Sequence, residues 1–271
     1  MSHELHLIEQ YDDTPFTAWF DHFAAGQMHL GYWPPGREQS FAGAATAFTR
    51  LLIQRLGVGK GQRVLDVGCG VYAGPAIQLA ATTGCEVDGV TLEPNAKRLV
   101  PERAAAAGAG DRVRVHVGNA NALPFPDDSF DAAWAVEMLI HVPDKESILR
   151  EAKRVLRSGA RIVLADYPAG ERFSPESRWV TENHFVPVSI PDLERMLADA
   201  GFTELVWTDY NDSVAIPSFQ RMLDDTLADP ARTKAVVGED IYELFTDLVP
   251  EGIAAHRERR LSYGVLTARA R

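Results

Sequence analysis

Between residues 63 and 165, short apolar segments with strand character alternate with longer segments whose apolar residues recur at helical spacing. Strand patterns cover residues 63–67, 86–92, 113–117, 131–136 and 161–165, and helical patterns cover residues 75–83, 95–107 and 145–156. This alternation is typical of a parallel sheet that carries helices on both faces. We therefore expect a doubly wound α/β fold in this part of the chain.

The flanking segments follow other patterns. Residues 1–35 are aromatic-rich and look irregular, whereas residues 41–56 have helical spacing and end at Gly57. Beyond residue 167 the sequence predicts a loop at 168–190, a helix at 191–200, a strand at 203–208, helical segments within 214–260 and a last strand at 262–270. A helical insertion before the last strand should lie above the edge of the sheet where such folds bind ligands.

Composition and charge narrow the function classes. The chain has 271 residues, with 27 Lys and Arg against 38 Asp and Glu, so its formal net charge is −11. This balance disfavours binding to nucleic acid or to an anionic membrane, since both need clustered basic charge. No apolar run reaches the roughly 18 residues of a membrane span, and the polar start is unlike a secretory signal. We expect a cytoplasmic protein, and the spacing of its Cys and His residues predicts no metal site.

The segment VLDVGCGVYAGP, residues 64–75, lies where the first strand should turn into the first helix. Its glycines permit positive φ angles and a close approach of backbone to ligand. Read as GxGxxA, with Glu93 further on, it fits a dinucleotide fingerprint; a purely structural turn and a site for another nucleoside-type ligand are the alternatives. Asp66 favours the last of these, because a carboxylate suits a ligand with an amine or cationic end better than a pyrophosphate.

Further motifs follow in order along the chain: GVTLEP at 89–94, GNANALPFPDDSFD at 118–131, WAVEMLIHVPD at 134–144 and RVLRSGARIVLADY at 154–167. Together with DVGCG they resemble the class I S-adenosylmethionine-dependent methyltransferases. Within that family they are similar to the small-molecule branch, which includes sugar O-methyltransferases, tocopherol-type and sterol-type C-methyltransferases and cyclopropane-fatty-acid synthases. The resemblance implies a Rossmann-like sheet of seven mostly parallel strands, a helical N-terminal arm, a helical lid, and S-adenosylmethionine as methyl donor.

The sequence departs from the family pattern at three places. The third glycine of the usual turn is displaced: Tyr72 takes its place and Gly74 follows two residues later. Thr91 stands where many relatives have the acid that binds the ribose, so that Glu93 either assists there or only complements a helix dipole. Asn119 replaces the aspartate that contacts adenine, and its amide oxygen can still accept from an amino group.

The resemblance implies both a donor site and catalytic residues. Tyr11 and Tyr32 of the arm would place aromatic faces over the sulfonium. His141, after the fourth strand, would act as general base or as a latch with an N-terminal tyrosine, or else only order its loop. Asp166 would orient His141 or polarise the acceptor, or else cap a loop, and Glu137 would contact the acceptor or only stabilise its turn. The implied donor-binding residues are Asp66, Gly68, Cys69, Gly70, Thr91, Leu92, Asn119, Ala120, Glu137 and Tyr32.

The expected function is methylation of a medium-sized hydrophobic small molecule of secondary metabolism, with oxygen slightly favoured over carbon as acceptor. The alternatives are a non-methylating relative that keeps the donor pocket as a scaffold and an NAD(P)-dependent oxidoreductase. We expect residues 1–40 to form an arm, 41–170 the donor-binding core, and 171–271 the rest of the sheet with a lid at about 214–260; a homodimer is left open. The acceptor pocket is expected from Phe173, Trp179, His184, Phe185, Phe219, Met222, Tyr242 and Phe245.

Overall fold

The computed structural model describes residues 3–12 and 14–271. Its strands are β1 (Arg63–Val67), β2 (Glu86–Thr91), β3 (Val113–Val117), β4 (Phe130–Val136), β5 (Leu156–Asp166), β6 (Phe202–Asp209) and β7 (Gly264–Ala270). They form one seven-stranded sheet in the order β3-β2-β1-β4-β5-β7-β6. Strand β7 is antiparallel to both neighbours, and the other pairs are parallel. The expected doubly wound, mostly parallel sheet is confirmed.

The helices are α1 (His3–Tyr11), α2 (Pro15–Ala24), α3 (Phe41–Leu56), α4 (Gly74–Thr83), α5 (Ala96–Ala106), α6 (Lys145–Val155), α7 (Arg178–Glu182), α8 (Ile190–Asp199), α9 (Ile216–Ala228) and α10 (Pro230–Arg257). Helices α3, α4 and α5 pack on one face of the sheet, and α6 and α8 pack on the other. Successive strand residues therefore point to opposite cores, as Val64 and Leu65 do in β1. The described residues form no helix long and apolar enough to cross a membrane.

The N-terminal segment, for which the local pattern suggested irregular structure, contains two helices. Helix α2 begins with a capping box in which the Thr14 and Thr17 side chains each bond the other residue's backbone N–H. The fully buried Trp19 donates its indole N–H to Thr226 Oγ1 at 3.1 Å and stacks on Phe23. The arm thus packs on its own chain, against the insertion that follows β6.

The predicted insertion lies between β6 and β7. It starts with one turn of π-helix at Asn211–Ala215, continues through α9, and ends with α10, whose axis breaks at Gly238. The predicted loop at 168–190 differs by containing the short helix α7. The arm, the α7 segment and the insertion all lie over the carboxyl ends of the parallel strands, where the sheet opens a crevice for ligands. The division of the chain at residues 40 and 170 stays a prediction.

Candidate functional site

A cavity of about 410 Å³ lies at the carboxyl edge of the sheet. Its floor is formed by the turns that follow β1, β2, β3 and β4, and its roof by the arm, α7 and the insertion. Of the sequence-predicted site residues, the structure brings eleven to the cavity wall: Tyr11, Asp66, Gly68, Cys69, Gly70, Thr91, Leu92, Asn119, Ala120, Glu137 and His141. Asp166 and Tyr32 do not line it.

The glycine-rich turn is built for close contact. Gly68 and Gly70 have φ angles of 78° and 68°, which side-chain-bearing residues rarely adopt. A Cβ on Gly68 would lie 2.2 Å from Cγ of Met138, so the turn has no room for a side chain there. The cavity wall at this turn is therefore backbone, which a ligand can approach directly.

The displaced glycine of this turn has a structural role. Helix α4 begins at Gly74, and a Cβ there would lie 2.4 Å from the carbonyl oxygen of Gly26. Gly74 thus lets the arm backbone pass across the start of α4 while it also lines the cavity. Ala73 precedes the helix in a left-handed conformation, and its side chain makes no capping hydrogen bond. The first amide groups of α4 are therefore available to a ligand.

Several buried polar atoms around these turns have no hydrogen-bond partner among the described residues. They include Oγ1 of Thr91, Oδ1 of Asn121 and Oδ2 of Asp66, all from residues that line the cavity; the Trp134 indole lies near Asp66 as a donor, but outside good hydrogen-bond geometry. Buried polar groups without partners are costly, so such a cluster indicates a polar ligand. A carboxylate, a hydroxyl and an amide oxygen suit the ammonium, ribose hydroxyl and adenine amino groups of S-adenosylmethionine, and the residues present therefore fit this donor.

Burial makes the acids of this half of the cavity harder to ionise. It raises the pKa of Asp66 to about 7, and it raises the pKa of Glu93 to about 7 with a further contribution from the Asp12 carboxylate. Glu93 lines the cavity close to the end of β2, so the structure keeps it available to a ribose. Asn119 uses its side-chain oxygen to accept the Asn121 amide at 2.8 Å, which fixes the turn after β3.

Glu137 joins the arm to the sheet. Its Oε1 accepts the Leu30 amide at 2.8 Å and the Tyr263 hydroxyl at 2.6 Å, and its Oε2 accepts the Tyr167 hydroxyl at 2.6 Å. Burial nevertheless raises the pKa of Glu137 to about 7. The residue has a φ of 53°, an unfavourable conformation of the kind that clusters at functional sites.

His141 stands between two aromatic rings. Its imidazole lies 5.0 Å from the ring of Tyr11 and 5.2 Å from the ring of Phe185, centroid to centroid, and both contacts are edge-on. The three residues come from the turn after β4, from the arm and from the loop after α7, and all of them line the cavity. Burial strongly raises the pKa of Tyr11, so its hydroxyl keeps its proton.

Asp166 lies behind the cavity wall rather than in it. Its carboxylate accepts the amide of Tyr167 at 2.8 Å and that of Ile140 at 3.2 Å. It therefore fixes the turn that carries His141, and the capping alternative describes its contacts better than direct polarisation of an acceptor. Burial raises the pKa of Asp166 to about 6.

Tyr32 is also placed away from the cavity. Its backbone amide bonds the carbonyl of Ala44, and its ring lies edge-on to Tyr210 with centroids 6.1 Å apart. The expected position over a sulfonium is therefore not what the structure shows, because the arm turns toward α3 before it reaches residue 32. The arm residues that reach the cavity include Tyr11, Phe16, Met28 and His29.

The rest of the cavity wall is apolar and aromatic. Of the pocket expected from the sequence, Trp179, Phe185, Phe219, Met222 and Phe245 line the cavity, whereas Phe173, His184 and Tyr242 do not. Other lining residues were not predicted, because their apolar spacing is the same as that of ordinary core positions: Leu7, Phe16, Met28, Leu244, Leu248 and Val249.

Comparison with known proteins agrees with this geometry. Residues 65–164 match the family model described as a methyltransferase domain. The chain is 44% identical over 140 residues to methyltransferase GfsG of Streptomyces halstedii, a match that spans 51% of this chain and 50% of that protein. It is 31% identical over 262 residues to O-methyltransferase resE of Aspergillus sclerotiorum, with 93% of each chain covered.

A solved structure, that of the [4+2]-cyclase SpnF, superposes with a TM-score of 0.81 at 25% identity, covering 96% of this chain and 98% of that one. The nicotinamide alternative has no support from these matches. The glycine-rich turn and the unpartnered polar atoms fit S-adenosylmethionine, and the two sequence relatives named above are methyltransferases. The chain therefore belongs to the class I S-adenosylmethionine-dependent methyltransferases, EC 2.1.1.-, of the type that acts on small molecules in secondary metabolism.

Proposed function

We propose that this enzyme methylates an oxygen atom of a medium-sized, hydrophobic small molecule, with His141 as general base. Relatives of the chain are named for methylation of oxygen and of nitrogen. The observation that carries the proposal is the position of His141, an imidazole at the cavity wall between Tyr11 and Phe185. A hydroxyl is the acceptor that gains most from a base at this place.

S-adenosylmethionine, when bound, would supply a methyl group on a positively charged sulfur, and that sulfur would keep the electron pair of the broken carbon–sulfur bond and leave as the neutral thioether of S-adenosylhomocysteine. The residues of the chain have three tasks in the transfer. The turns after β1, β2 and β3 hold the donor, and the aromatic wall orients the acceptor and excludes water. His141 takes the proton of the acceptor hydroxyl while the oxygen of that hydroxyl bonds to the methyl carbon. Asp166 contributes indirectly, since it fixes the backbone of the turn that presents His141.

A second candidate function has support from one comparison. The likeness to a [4+2]-cyclase favours a relative that keeps the donor pocket as a scaffold and catalyses a reaction other than methyl transfer. In that case the aromatic wall would bind a flexible substrate in a reactive conformation, and the donor would be bound but never consumed. Methylation of carbon is the remaining alternative, in which the acceptor needs less help from a base.

The experiment follows label from tritiated S-adenosylmethionine into a panel of uncharged, hydroxylated polyketides and terpenoids. For an accepted substrate, we expect His141→Ala to lower kcat by about 100-fold, the range of general-base catalysis, with donor affinity unchanged. His184→Ala is the control, because His184 lies outside the cavity wall. Unchanged turnover in His141→Ala would overturn the base assignment, and bound donor without any labelled product would favour the scaffold function.

A further inference from the structure

The cavity is lined by acidic side chains without a basic partner. Its carboxylates belong to Asp66, Glu93, Glu137 and Asp144. No lysine or arginine of the described residues lines it. Lys145 directly follows the lining residue Asp144 in sequence, but its ammonium donates to the carbonyl oxygens of Val142 and Val186, each at 2.6 Å. His29 does line the cavity, but burial lowers its pKa to about 4, so it is neutral at pH 7.

Among these acids, Glu137 lies where the polar and the aromatic walls meet. Its neighbour along the chain, Met138, lies under the glycine turn. Its partner Tyr167 has its ring stacked 6.0 Å from Phe185 and 6.5 Å from Phe219, both of which belong to the aromatic wall. The three donors on its oxygens favour the charged form and burial opposes it, so that Glu137, with its pKa raised to about 7, is mostly ionised at pH 8.

We propose that Glu137 makes this site selective for acceptors that are uncharged at the end entering the cavity, and that it excludes phosphate and carboxylate groups there. The inference rests on the proposed function and names the substrate class of the same site. An anion brought beside ionised Glu137 would lose its hydration and meet a like charge, with no lysine or arginine in the described cavity wall to offset either cost. An uncharged aromatic or terpenoid group loses little hydration and gains the apolar wall.

The donor is consistent with this selection, although its methionine end carries a carboxylate. That end also carries an ammonium group, so it is neutral overall, and the sulfonium makes the whole donor cationic. Free amides at the start of α4 are available to the donor carboxylate. A second anion in the acceptor part of the cavity would find no lysine or arginine among the described lining residues, and the His141 imidazole would be its one basic side chain near the aromatic wall.

The test measures two probes with the same ring system, 1-naphthol and 1-naphthyl phosphate, at pH 8 on the 271-residue chain saturated with S-adenosylhomocysteine. Calorimetry should give naphthol binding at least about tenfold tighter than naphthyl phosphate, equivalent to about 1.4 kcal/mol. Equal affinity of the two probes, or no naphthol binding up to millimolar concentration, would overturn the proposal. Failure of S-adenosylhomocysteine itself to bind would instead refute the proposed function, so the two failures are distinguishable.

Variants locate the selectivity at Glu137. We expect Glu137→Gln to narrow the preference for naphthol over naphthyl phosphate, measured as the ratio of the two dissociation constants, at least about fivefold relative to the wild type. Asp224→Asn makes the same change in net charge at an exposed position outside the cavity and should change neither affinity. If Glu137→Gln does not fold, Asn183→Lys places a cation in the cavity wall and should raise the affinity for naphthyl phosphate by a similar factor. A folded variant that gains no affinity for naphthyl phosphate relative to naphthol would contradict the proposed selection against anions.

Discussion

At the scale of single residues, the site depends on backbone that comes close to the ligand. In the turn after β1, Gly68 and Gly70 have positive φ angles. In addition, a Cβ on Gly68 would collide with the Met138 side chain. These two facts are independent: the first makes any side chain conformationally unfavourable, and the second makes it collide with a neighbour. Sequence motif and structure therefore give the same reason for the glycine.

Gly68→Ala should remove donor binding. The new methyl group must displace Met138, which lies beside the cavity, and we expect the affinity for S-adenosylhomocysteine to fall at least about 30-fold, or 2 kcal/mol. Calorimetry measures the loss. Gly59→Ala is the matched control, because nothing lies within 4 Å of its would-be Cβ and its φ is not positive. Wild-type affinity in Gly68→Ala would refute the packing argument.

At the scale of elements, the arm is fastened to the donor side of the cavity. The Asp12 carboxylate accepts both the amide and the side-chain N–H of Asn95, at 3.1 and 2.9 Å, just before α5 begins. A second tie joins Asp21 of α2 to Arg103 of α5 at 2.7 Å, but this ion pair is partly exposed. The first tie closes the arm over the loop that carries Glu93, and the second holds only its outer surface.

Asp12→Ala should therefore loosen the closed arm more than Asp21→Ala does. Loss of these two partly buried hydrogen bonds should cost about 1 kcal/mol of binding free energy. We therefore expect the dissociation constant of S-adenosylhomocysteine to be about fivefold higher for Asp12→Ala than for the wild type. An exposed ion pair contributes little, and Asp21→Ala should change the affinity less than twofold. Stopped-flow dissociation and calorimetry measure both variants, and equal effects would refute the special role of the Asp12–Asn95 tie.

At the scale of the whole molecule, the sequence predicted the sheet and the donor loops far better than the roof. The strands are short, apolar and separated by helices, so the alternation of strand and helix patterns can be read from the local sequence. In the DVGCG and GVTLEP segments, contact with a ligand restricts which residue can stand at each position. The roof is different: Leu248 and Val249 are spaced like core residues, and only the tertiary contacts turn them toward the cavity. Tyr32 is also outside the cavity wall, because the arm turns toward α3 before it reaches this residue, a tertiary feature that the local sequence does not show.

The buried acids of the cavity also couple the stability of the whole chain to pH. Asp66, Glu93 and Glu137 each have a folded pKa raised to about 7, whereas the unfolded values are near 4. Between these values the folded state holds more protons than the unfolded state, so the free energy of unfolding falls as pH rises. The lowered pKa values of His29 and His256 have the opposite effect, which is nearly complete above pH 7.

The stabilisation that a donor analogue gives should therefore grow with pH. From pH 6.5 to 8.0 the free protein is expected to lose Tm as the three buried acids ionise, and the positively charged ammonium of S-adenosylhomocysteine should offset part of this loss by favouring charged Asp66. Scanning calorimetry at the two pH values, with and without the analogue, measures the difference. Asp66→Asn removes one ionisation and should make the pH dependence flatter. A Tm increase on ligand binding that is the same at both pH values would show that the cavity acids do not respond to the donor.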